Sequence, residues 1–145
     1  MMRSERGFTL IEALISLVIV AMLSLISYPF IVDLYDYMQL NQAITTLQAD
    51  LHRVRDVNMM PLQPGARMAL HIHHNEGRYV LLMGGNVIAE RTFPSRVSMP
   101  HGSAISEISF NARGNLGQGR TLRIESRAHT RDIVFSVGVG GFDVR

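Results

Sequence analysis

Residues 7–32 read GFTLIEALISLVIVAMLSLISYPFIV, and the fold turns on this stretch. Positions 13–32 are 20 consecutive residues without a charge. As an α-helix rising ~1.5 Å per residue they cover about 30 Å, the thickness of a bilayer's hydrocarbon core. Arg3 and Arg6 precede the run, and Asp33 and Asp36 follow it. Basic flanks are retained in the cytoplasm, which predicts one span with the N-terminus inside and the bulk of the chain outside. A cleaved secretory signal would have a shorter apolar region followed by a small-x-small site. The end of this run and the residues beyond it, SYPFIVDLYDY at 27–37, offer none. A plain signal anchor fits the length but leaves Glu12 unexplained. A carboxylate at a helix centre in lipid costs ~2.5–3.5 kcal/mol even on the lenient insertion scale, so an acid here reads as functional.

Outward from the span, the helical signal changes character. Leu40, Ile44, Leu47, Leu51 and Val54 recur at alternating spacings of four and three, with polar residues between them. That pattern is an amphipathic helix with one apolar stripe. Pro61 and the PLQPG loop at 61–65 should stop it. The expected helix runs from 8 to about 57, ending near 58–60. Pro29 lies inside it, removes one backbone hydrogen bond and predicts a kink.

From position 67 the period falls to two. Met68, Leu70 and Ile72 alternate with Ala69, His71 and His73, and further short strands are expected at 79–83, 87–93, 105–110, 122–125 and 133–137. Turn signals at 75–77, 84–86, 99–103, 114–119 and 138–141 separate them. The expectation is an α+β chain in which one small antiparallel sheet packs its apolar face on the helix stripe. The expected divisions are a leader at 1–7, a membrane half of the helix at 8–32, an amphipathic half at 33–60 and a β-rich domain at 61–145.

The G-F-T-L-I-E segment at 7–12, behind the short basic leader MMRSERG, strongly resembles the processing site of the type IV pilin and type II secretion pseudopilin superfamily. The resemblance implies that a prepilin peptidase cuts between Gly7 and Phe8 and that Phe8 is then N-methylated. It implies that Glu12 serves assembly, pairing with the Phe8 amine of a neighbour so that each charge offsets the other's desolvation. A proline recurs in that family at the depth of Pro29. Expected partners are the peptidase, other major and minor pilins, an assembly platform protein, and membrane lipid before assembly. The segment FNARGNLGQGR at 110–120, followed by TLRIES and IVFSVGVGGFDVR, resembles minor subunits. The nearest are the ComGD-type competence subunits of Gram-positive bacteria, and next the GspH/FimT-type subunits. The implied function is a minor subunit of a competence filament for DNA uptake, destined for the cell surface. The alternatives are a type II secretion pseudopilin and an anchored binding protein that never polymerises.

The remaining chemistry is sparse. All 14 cationic residues are Arg, and the chain has no cysteine, which excludes disulfides and thiolate metal sites. Beyond position 60 there are ten Arg against six acids, a local excess of four. Arg113, Arg120, Arg123 and Arg127 are candidates for contact with DNA phosphates, with Arg131 following, although no interleaved aromatics support base stacking. His71 and His73 share a strand face but find no carboxylate at a suitable spacing, so solvent-facing histidines are expected rather than a metal. Gly114, Gly117 and Gly119 form a turn, since no helix follows to make a phosphate loop. Neither a catalytic set nor a cofactor is expected.

Overall fold

The computed structural model describes residues 9–60, 66–100, 106–136 and 141–145. The leader, Phe8, the loop at 61–65 and the turn residues 101–103 and 138–140 lie outside the described residues. One helix, α1, spans Leu10–Met59, within two residues of the expected bounds. By internal contacts the chain forms two units, Met1–Tyr35 and Asp36–Arg145.

In the second unit, eight strands follow the helix: β1 Met68–His73, β2 Arg78–Met83, β3 Asn86–Thr92, β4 Val97–Ser98, β5 Glu107–Ser109, β6 Arg120–Ser126, β7 Thr130–Phe135 and β8 Phe142–Val144. They form two four-stranded sheets rather than the single one expected, in the orders β3-β2-β1-β5 and β4-β6-β7-β8, with every pair antiparallel. The alternating pattern predicted strands but carried no information on which sheet each joins. β4 has two residues and β8 three, too short for a period of two to be visible.

The core forms because both periodicities point the same way. Leu40, Leu47, Leu51 and Val54 on α1 are wholly buried, with Ile44 nearly so. They share one cluster with Met68, Leu70, Ile72 and Leu81 of the first sheet and Leu122, Ile124, Ile133 and Phe135 of the second. Each fully buried aliphatic side chain stabilises the fold by roughly 1.5–3 kcal/mol relative to exposure. The expected stripe is therefore the seam on which both sheets meet the helix.

Two turns need glycine. Gly84 and Gly85 adopt φ of 58° and 87° to close the β2–β3 hairpin, the left-handed conformation such tight turns demand. Gly114 has φ 74°, and a Cβ there would lie 2.7 Å from Met59 Sδ and 3.0 Å from Arg55 Nε. The turn around it is held by Asn111, whose Oδ1 accepts from the N–H groups of Arg113 (2.9 Å) and Asn115 (3.0 Å). The turn at 111–115, where the one expected at 114–119 begins, thus closes against the last turn of α1.

Candidate functional site

Within the first unit, α1 begins behind Thr9. The Thr9 hydroxyl accepts from the Glu12 N–H at 3.3 Å, and the Thr9 carbonyl accepts from Glu12 and Ala13 N–H, both at 3.1 Å. Thr9 is therefore a helix cap, the role Ser and Thr favour because a short side-chain oxygen satisfies an orphan N–H of the first turn. The T-x-x-E spacing at 9–12 is the sequence signature of a capping box. It was legible, and sequence reasoning passed over it while attending to Glu12 alone.

Glu12 sits in the first turn, where the helix dipole favours a negative charge. Its side chain is exposed, and its carboxylate makes no hydrogen bond or ion pair among the described residues. From Thr9 to Ile31 every residue is exposed, including Leu17 at 67% and Leu25 at 77%. The segment is long and apolar enough to cross a membrane. A soluble protein rarely leaves so large an apolar surface uncovered.

The polar groups on this segment are satisfied locally. Ser16, Ser24 and Ser27 each donate to the carbonyl four residues earlier, all at 2.8 Å. Such bonds remove the cost of bringing a hydroxyl into lipid and tend to bend the helix. Two of them occupy the turns just before Pro29, whose missing N–H deprives the Leu25 carbonyl of its usual donor. α1 is nonetheless continuous through Pro29.

The second unit ties its part of α1 down with three buried polar side chains. Asp36, 1% exposed, accepts from Arg96 Nη1 at 2.7 Å. Asp50 accepts from the Tyr79 hydroxyl at 2.7 Å and faces Arg91 Nε at 3.4 Å. Burial first, then this hydrogen bond, pushes the Tyr79 hydroxyl well above its ordinary pKa. Asn58 donates to the carbonyls of Met68 (2.8 Å) and Phe110 (3.0 Å) and accepts from Met68 N–H at 2.7 Å. Sequence reasoning missed all three. Asp36 lies four residues before Leu40 and Asn58 four after Val54, so both extend the apolar stripe, and a polar residue in that register was the available signal.

The arginine candidates do not converge. Arg123 forms a two-pronged pair with Asp132, at 2.8 and 2.9 Å, across the β6–β7 ladder. That hydrogen-bonded pairing raises the Arg123 pKa and holds the Asp132 carboxyl below its ordinary range. Arg120 donates to Gln118 at 3.3 Å and borders one cavity, with Glu107 and Phe135, whereas Arg127 borders another beside Arg96. Arg113 is exposed in the 111–115 turn. His71 corrects a further expectation, because β1–β5 pairing sets Glu107 directly across from it, with Nε2 and Oε2 3.6 Å apart. Spacing along the chain could not reveal that partner. Among the described residues no group of three such side chains could hold a metal.

The profile of the family described as "Prokaryotic N-terminal methylation motif" matches residues 2–28, the span that holds Gly7, Phe8 and Glu12. The solved structure of the type IV minor pilin FimU from Pseudomonas aeruginosa (strain PAO1) superposes with a TM-score of 0.59 at 18% identity. It covers 75% of this chain and 90% of that one. The chain has a pilin-like fold. This pilin-like chain is also similar to "Competence protein ComGD" of Bacillus subtilis (strain 168), 27% identical over 143 residues. The match spans 99% of this chain and 95% of the relative. The fold expected from sequence, a long N-terminal helix on antiparallel strands, is the fold found, with two sheets in place of one.

Proposed function

We propose that this chain is a minor subunit of a type IV filament system that takes up DNA, processed by a prepilin peptidase and assembled through its N-terminal helix. The observation that carries the reading is the uncovered apolar segment at 9–31 with a single carboxylate, Glu12, unpartnered among the described residues. Such a surface is stable in lipid, or among copies of itself, and nowhere else in an aqueous envelope. The matched motif supports cleavage between Gly7 and Phe8 and methylation of Phe8, and the reading adds pairing of that amine with a neighbour's Glu12. Residues 1–7 then form the leader, 8–32 the assembly half of the helix, 33–60 its amphipathic half and 61–145 the exposed domain. The N-terminus lies in the cytoplasm and the domain outside, passing to a surface filament with other pilins through an assembly platform protein.

The near full-length similarity to a competence protein supports DNA uptake. Arg113, Arg120 and Arg127 remain the candidate phosphate contacts, whereas Arg123 is already neutralised by Asp132. The likeness to a minor pilin keeps a pilus or type II secretion role as the second reading. A deletion strain separates them: DNA uptake lost with protein export intact supports competence, and the reverse outcome assigns the chain to secretion.

A further inference from the structure

Asn58, near the end of α1, ties three parts of the second unit together. Its side chain donates to the carbonyls of Met68 and Phe110 and accepts from Met68 N–H. Just before Met68, ahead of β1, stands Arg67, which is exposed. Shortly after Phe110 stands Arg113, exposed in the turn that Asn111 holds. That turn closes on α1 through Gly114, where a Cβ would meet Arg55 Nε at 3.0 Å. Three separate elements thus bring Arg55, Arg67 and Arg113 to the last turns of α1.

Among the described residues none of these three guanidiniums has a hydrogen bond or an ion pair. The Arg55 Nε is in addition buried without an acceptor. A buried charged donor left unpaired is costly and calls for an explanation. The helix dipole favours a cation near the end of α1, which accounts for the charge at Arg55 but not for Arg67 and Arg113 on other elements. Asp56, the acid next to Arg55 on α1, is turned from it by about 100° around the helix. The other arginines considered for phosphate contact stand beside acids. Arg123 pairs with Asp132, Arg120 borders a cavity with Glu107, and Arg127 borders one with Glu125. Arg55, Arg67 and Arg113 line neither of those cavities.

Guanidinium groups bind phosphate oxygens through paired N–H donors and keep their charge at every physiological pH. Three of them, one on each of three elements and outside those cavities, suit an extended polyanion better than a single enclosed phosphate. We propose that Arg55, Arg67 and Arg113 form the surface on which this chain holds the phosphodiester backbone of DNA. The proposal rests on the reading of the chain as a DNA-uptake subunit. Phosphate contacts carry no sequence information, so the binding is independent of sequence and falls steeply with salt.

Fluorescence anisotropy of a labelled DNA duplex of mixed sequence, titrated with the full-length chain in non-ionic detergent over a series of salt concentrations, tests it. Three phosphate contacts predict a slope of log K against log salt of about −2.7. Arg67→Gln and Arg113→Gln should each move that slope by about 0.9 towards zero and weaken binding about eightfold near 0.1 M salt. Both residues are exposed, so the test stands even where Arg55→Gln fails to fold. Arg53→Gln, exposed on the far side of α1, should leave affinity and slope unchanged. Unchanged binding in Arg67→Gln and Arg113→Gln, or an equal loss in Arg53→Gln, overturns the proposal. So does tighter binding to phosphatidylglycerol vesicles with the same arginine dependence, which would make the surface a lipid contact. Complementation of a deletion strain separates the cluster from the reading beneath it. Full DNA uptake restored by the Arg67→Gln, Arg113→Gln double variant sinks the cluster alone, and a deletion that leaves uptake intact sinks the reading as well.

Discussion

The two parts of α1 differ in how their apolar residues are arranged and in what covers them. From 36 to 59 that surface forms a stripe, wholly covered by two sheets, and the polar residues within its register each find a partner. From 9 to 31 the apolar residues go all the way round, each is exposed among the described residues, and hydroxyls bond back to their own helix. The first pattern is what water imposes on a helix with a core to make. The second belongs to a helix whose surroundings are apolar on every side. A polar group on the covered part is answered within the molecule, whereas the Glu12 carboxylate has no partner among the described residues.

The contrast predicts where a substitution is felt. Glu12→Ala should leave the fold of the second unit and its melting unchanged while removing the chain from filaments. A buried amine left unpaired costs about 3–5 kcal/mol, enough for more than a hundredfold loss of incorporation, read by immunoblot of sheared filaments. Asn58→Ala should do the opposite. It strips three hydrogen bonds from buried backbone groups and should lower stability by about 2–4 kcal/mol in urea unfolding of the full chain in detergent, with membrane insertion unaffected.

Tyr79 sharpens the comparison by pH. Its folded pKa lies above the unfolded value of about 10, so its contribution is complete below pH ~10 and is lost as pH climbs toward the folded value. Its phenolate absorbance should emerge together with unfolding, at higher pH than in free tyrosine. The smallest effect belongs to the exposed Arg123–Asp132 pair. Asp132 is depressed by Arg123, so the pair contributes above the unfolded carboxyl pKa and is lost as pH falls through the folded one. Arg123→Ala should shift the urea unfolding midpoint less than any other substitution here near neutral pH, and less still in acid, because an exposed pair is screened by water.

Residues that act through their neighbours along the chain were readable in the sequence. The apolar run, Glu12 behind Gly7–Phe8, the stripe from Leu40 to Val54 and the glycine turns all declare themselves by spacing, and α1 ended where Pro61 required. Residues that act through sheet pairing were not. Glu107 becomes His71's neighbour, and Asp132 becomes Arg123's, only once registers between strands distant in sequence are fixed. The division into two sheets was hidden for the same reason. Asp36 and Asn58 fall between these cases, because their register on the stripe was visible while their partners Arg96 and Met68 were not, and Asp50, set between stripe positions, showed neither its burial nor its partner Tyr79.

In the proposed function, the transfer of this helix from lipid into a polymer begins with one peptide bond. Intact-mass and N-terminal sequencing of the chain recovered from sheared filaments of its native host tests that step directly. The expected product starts at Phe8 and carries one added methyl group on its amine. Chains in those filaments that still begin at Met1, with residues 1–7 attached, would contradict the account.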